Sequence, residues 1–148
     1  MKRDPISDAS QGSRGYQTSH QFESMRVSYQ ATGGVARVDE LADWFKSHGG
    51  PRPDVLACWI ERRQVICFEW DDHAWLPWFQ FHRVDLVPHP QLDSVFAELT
   101  PVFDAWEMAE WFSRPNAWLA DKTPLATLVA DLAAVRDAAR ADRFIANG

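Results

Sequence analysis

FDAWEMAEWFSRPNAWLADKTPLATL, residues 103 to 128, holds three Trp, two Phe and two Pro in a single helix-turn-helix pattern. Asp104 and Glu107 stand three apart, as in a capping box. The Asp carboxylate accepts from the Glu107 backbone N–H, the Glu side chain reaches back to the cap, and a helix starts near Ala105. Ala105, Met108, Ala109 and Phe112 follow the i, i+3, i+4, i+7 spacing of one helical face, with Trp106 and Trp111 widening it. Pro115 lacks an N–H and restricts Arg114, so the chain turns there. Ala117-Trp118-Leu119 is then expected to drop back as a buried plug, with both Trp118 and Leu119 inside. Thr123 is a good N-cap and Pro124 a good first helical residue, so a helix reopens with Leu125, Leu128 and Val129 expected to face the plug.

The pattern Ala109-x-Trp111-Phe112-x-x-Pro115-Asn116-x-x-Leu119, followed by Pro124-Leu125-x-x-Leu128 and a further helix near the C-terminus, resembles the C-terminal toxin-binding domain of Xre/MbcA/ParS-type antitoxins. The resemblance runs from residue 103 to 148. Leu76-Pro77-Trp78-Phe79-Gln80-Phe81, similar to a stretch found upstream of such domains, extends it more weakly back to about residue 57. It implies a non-catalytic domain that holds a partner toxin, commonly a NAD-consuming or ADP-ribosylating enzyme. The sequence departs from the family where a Gly-rich turn usually follows the Leu: here stand Ala120-Asp121-Lys122, and the stretch after Pro124 is shorter.

Working outward, residues 1 to 17 carry almost no apolar groups and are expected to be a flexible tail. A helix from Thr18 or Ser19 presents Phe22, Met25, Arg26 and Tyr29 on one face and stops at Gly33-Gly34. Val38, Leu41, Ala42 and Phe45 mark a second helix, with Asp39 and Glu40 at its positive end, closed by Gly49-Gly50-Pro51. Pro53 opens a third, with Val55, Leu56, Trp59 and Ile60 on one face. Val65 to Trp70 and Ala74 to Phe81, joined by Asp71-Asp72-His73, read as a β-hairpin whose second strand Pro77 would place at a sheet edge. After Pro88-His89-Pro90, Leu92, Val95, Phe96 and Leu99 form a helix stopped by Pro101. Asp131 caps a last helix that carries Phe144 and Ile145 near its end.

The expected fold is mainly α with one β-hairpin, six or seven helices in all. A helix-turn-helix-like front half with a winged-helix-like hairpin, residues 18 to 87, is followed by a small C-terminal helical domain, residues 88 to 148.

A length of 148 residues with 46% hydrophobic content provides for a sizeable core. No apolar run approaches the roughly 18 to 20 residues that span a bilayer, and residues 1 to 10 have no apolar secretion signal, so no membrane association is expected and the cytoplasm is the expected compartment. Cys58 and Cys67 lack metal-ligand spacing and read as reduced, buried thiols. A net charge of −6 and a pI near 5.3 argue against broad nucleic-acid binding. Nucleic acid remains an open alternative through the second and third helices, with Arg52, Arg62, Arg63 and Arg83 as candidate phosphate contacts, set against Asp54 and Glu61 on the same helix.

No catalytic motif or phosphate loop is present, so no enzyme activity, cofactor or metal is expected. His82, Asp85 and His89 are better read as surface residues than as ligands. Glu69, Asp71, Asp72 and His73 at the hairpin tip are explained by turn chemistry. Eight Trp exceed what a chain of this size hides completely, and Trp is enriched at protein–protein contacts. Trp106, Trp111, Phe144 and Ile145 are therefore the candidate partner-binding residues. The expected partner is a toxin-like protein or a second copy of the chain as a homodimer.

Overall fold

The computed structural model describes residues 19–148. The tail expected over 1–17 lies outside the described residues. Helix α1, residues 19–29, buries Phe22, Met25 and Tyr29. It runs into a 3-10 turn, Gln30–Thr32, that closes on Gly33 at φ 105°. A glycine is required there, because a Cβ would lie 3.0 Å from that of Trp78 in a conformation L side chains rarely adopt. Strand β1, Val35–Arg37, leads directly into helix α2, Val38–Ser47, where the Glu40 carboxylate accepts from the Arg37 backbone N–H at 3.2 Å. Helix α3, Pro53–Glu61, starts at Pro53 as its residue type favours. Strands β2, Phe68–Trp70, and β3, His73–Pro77, form the hairpin. Asp71 and Asp72 both take positive φ (54° and 61°), the geometry that a two-residue hairpin turn demands.

The sheet corrects two expectations. It has three antiparallel strands in the order β1-β3-β2, so β3 is central and Pro77 is not on an edge strand. Pro77 is tolerated because it is the last residue of β3, paired with Val35, and the ladder is carried on by the Trp78 N–H donating to the Gly34 carbonyl at 2.9 Å. The hairpin strands are also shorter than their apolar runs. Trp78–Gln80 curl into a 3-10 turn, while Val65 and Ile66 precede β2. The fully buried Gln80 amide stands in for a strand there: Oε1 accepts from Ile66 N–H at 2.7 Å and Nε2 donates to the Ile66 carbonyl at 2.9 Å.

Alternation along β3 places the sheet between two apolar clusters. Trp75, opposite Phe68, faces the larger one, with α1, α4 (Leu92–Leu99), α5 (Ala105–Ser113) and α7 (Leu132–Asn147). Leu76 faces the smaller one with Leu41, Phe45, Leu56, Val65, Phe81 and Leu86. The larger cluster thus joins residues from both sides of position 88. Helix α4 packs most extensively on α7, and both lend buried residues to the larger cluster, Val95 and Leu99 from α4 and Ala138 and Ala139 from α7. Glu98 of α4 bridges to Arg140 at 3.1 Å and Arg143 at 3.4 Å on α7. A four-residue helix α6, Pro124–Thr127, is capped by the Thr123 hydroxyl accepting from Ala126 N–H. The described residues therefore form a mainly helical fold of seven α-helices with a small sheet, and no helix among them is long and apolar enough to cross a membrane.

Candidate functional site

Between α5 and α6 the backbone follows the expected turns, but the plug is Leu119 alone. Residues Ala117–Leu119 make a 3-10 turn in which Leu119 is buried and Trp118 is 58% exposed. A 3-10 turn repeats every three residues, so adjacent side chains diverge by about 120° and one apolar residue of the pair must face outward. Val129, expected to face the plug, is 98% exposed beyond the end of α6, while Leu125 is buried and Leu128 half-buried.

The indole of Trp118 is nevertheless fixed. Asp142 on α7 accepts from Trp118 Nε1 at 3.0 Å through one carboxylate oxygen. Through the other it accepts from Trp111 Nε1 at 2.8 Å and Asn116 Nδ2 at 3.0 Å. One carboxylate thus gathers Trp111, Asn116 and Trp118 onto the last helix. Beyond Asp142, Phe144 and Ile145 are 63% and 67% exposed. Ile145 continues the stripe Val135, Ala138, Ala139 and Asp142 past the end of the core.

Of the four candidate partner-binding residues, only these two lie open. Trp106 and Trp111 are half-buried and pack against the larger cluster. Both rings are taken up because α5 has neighbours on more than one side. Trp106 meets Phe68 of β2 edge to face at 5.2 Å, and Trp111 is drawn to α7. Sequence reasoning missed Trp118 as the exposed member and Asp142 as its anchor. The signal available was the adjacency of Trp118 and Leu119 in a tight turn. The partner of Trp118 lies 24 residues on and leaves no local trace.

The four arginines do not line up as one strip. Arg52 precedes α3 and pairs with Asp54 at 3.1 Å, whereas Arg62 follows the other end of that helix. Arg63, at φ 57°, turns its guanidinium to the carbonyls of Thr100 (2.9 Å) and Phe103 (2.8 Å), closing the end of α4. Arg83 lies beside Gly33 and Trp78. The exposed face of α3 presents Asp54, Ala57 and Glu61, two carboxylates that a phosphate backbone repels.

Other candidate chemistry is modest. His82 and His89 meet with ring centroids 4.0 Å apart. Burial, aided by the charge of His82, holds the His89 pKa below its ordinary value, with Asp85 and the Phe81 backbone opposing. Cys58 and Cys67 are free and half-buried, and burial together with Glu69 pushes the Cys67 thiol up to about 11, leaving it a poor nucleophile. Among the described residues no three His, Cys, Asp or Glu side chains are grouped to hold a metal ion. Comparison with protein-family models, curated proteins and solved structures finds no match to this chain.

Proposed function

We propose that the chain is a non-catalytic protein-interaction module with a regulatory role, of the kind its resemblance to the toxin-binding part of an antitoxin implies. The docking surface in this reading is Trp118 with Phe144 and Ile145 at the end of α7. One observation carries it: Trp118 exposes more than half of its surface while its N–H is already satisfied by Asp142. An exposed, pre-positioned indole loses little conformational freedom when a partner covers it, which is the property of an interface hot spot.

The test is recovery of a co-purifying protein by the tagged full chain from its native cell, with Trp118→Ala and a truncation after Arg143 alongside. The reading expects a stoichiometric partner retained by the full chain and lost by both variants, with helical circular dichroism unchanged. Retention by both variants would refute it. Sedimentation of the purified chain distinguishes a second copy, whose contact would be two-fold, from a different protein. DNA binding has in its favour the succession of α2, α3 and the β2–β3 hairpin, and against it the carboxylates on α3. A low-salt gel-shift complex lost in Arg62→Ala would support it instead.

A further inference from the structure

A groove of about 730 Å³ opens between the 3-10 turn after β3 and the α6 region, at the opposite end of α7 from Phe144 and Ile145. Leu132, the first residue of α7, lines it. Thirteen residue steps along the helix carry Leu132 to Ile145, about 20 Å at 1.5 Å per step. The groove is therefore a separate surface from the proposed docking site. Its walls are apolar: Trp78 and Phe79 come from the 3-10 turn, Leu125 and Leu128 from the α6 region. Val84 and Val129, 94% and 98% exposed, stand on its lining with no covering residue among those described.

The polar part of the lining has one sign. Among the described residues, Arg83, His82 and His89 are the only ionisable ones that line it and no carboxylate does, on a chain whose net charge is −6. Arg83 has no acidic partner among the described residues. The Asp85 carboxylate, outside the lining, accepts from the Val87 N–H at 3.5 Å and favours a charge on His89. Two imidazoles 4.0 Å apart disfavour a second proton, and an anion placed against them would relieve that repulsion.

We propose that this groove binds a small amphiphilic monoanion, its head held by Arg83 and the His82–His89 pair and its apolar body lying between Trp78 and Phe79 on one side and Leu125 and Leu128 on the other. The volume falls within the roughly 300–1,000 Å³ of small-molecule sites, and apolar walls with a few convergent polar groups are their usual construction. Binding is coupled to protonation of His89, so affinity rises as pH falls through the histidine range while a carboxylate ligand stays ionised.

Octanoate is the probe and 1-octanol the neutral control, titrated into the full chain by calorimetry and by NMR. The expected result is 1:1 saturable binding of octanoate, at least tenfold tighter than octanol. It strengthens between pH 8 and pH 6, with shifts at the Val84, Leu128 and Val129 methyls and an upward move of the His89 titration. Arg83→Ala and His89→Ala weaken octanoate at least threefold and leave octanol unchanged. Equal, pH-independent binding of the two probes would reduce the groove to a greasy cleft and overturn the proposal. So would shifts confined to other surfaces, or no saturable binding of octanoate by the folded wild type.

Discussion

Removing the Asp142 carboxylate separates the anchoring of the motif from its exposure. In Asp142→Ala the half-buried Trp111 N–H and the buried Asn116 amide lose their acceptor, whereas the exposed Trp118 N–H can turn to water. A buried donor left unpaired costs about 1–3 kcal/mol. Two such donors, one only half-buried, give about 2–4 kcal/mol, and at about 2–4 °C per kcal/mol for a domain of this size Tm should fall by about 4–16 °C. Asp142→Asn keeps one oxygen able to serve Trp111 and Asn116 and should cost less than half as much. Urea unfolding with midpoint and slope fitted together is the assay, because an unchanged slope shows that stability and not compactness has moved. A double-mutant cycle apportions the effect: Trp111→Phe should couple to Asp142→Ala by about 1 kcal/mol, and Trp118→Phe by less than about 0.5 kcal/mol. A change below about 0.5 kcal/mol for Asp142→Ala would refute the claim that this carboxylate ties α5 and the following turn to α7.

The adjacent pair Trp118 and Leu119 should diverge under the same assay: Leu119→Ala costs about 2–4 kcal/mol as a core truncation, while Trp118→Ala costs less than about 1 kcal/mol, and equal losses would contradict the assigned burial. Ala120 and Asp121 hold φ of 56° and 66°, so the departure from a Gly-rich turn leaves side chains in backbone geometry that glycine favours. Ala120→Gly should accordingly raise stability by up to about 1 kcal/mol, read from the urea midpoint, and a loss would count against strain at that residue. The carboxyl of Glu110 is held above its ordinary value by burial, against the lowering effect of Arg114 and the Trp106 indole. The folded state therefore binds the Glu110 proton more tightly than the unfolded chain. Its contribution is fully present below the unfolded pKa and is lost as pH rises through the raised folded value. Glu110→Gln should then raise Tm near neutrality relative to wild type, with the gain vanishing below about pH 4.5; a Tm drop at pH 7 would mean that the Arg114 pair outweighs burial.

Helix boundaries were legible because their causes are local. The Asp104–Glu107 capping box, Pro at the starts of α3 and α6, the Asp131 cap and Pro101 after α4 each act within a few residues, and the structure has a helix start or stop at each. Apolar spacing likewise marked Phe22, Met25, Tyr29, Leu41, Phe45, Val95 and Leu99 as core. Tertiary structure alone decided the rest. Strand β1, three residues between a glycine pair and a helix, is too short to carry a period, and it exists because β3 offers a free edge to pair with. That pairing made β3 central and placed Pro77 at a strand end. The fates of Trp106, Trp111 and Trp118 depended on what stood opposite them: Phe68 across from the first, and Asp142 within reach of the other two. Arg63 was turned into a helix cap by carbonyls some 40 residues away. The sequence by itself determined where the chain is helical and which face of each helix is apolar, since propensity, capping and periodicity act over one or two turns. Which aromatic and charged side chains stay exposed depended on contacts between distant segments, and only the assembled fold could settle it.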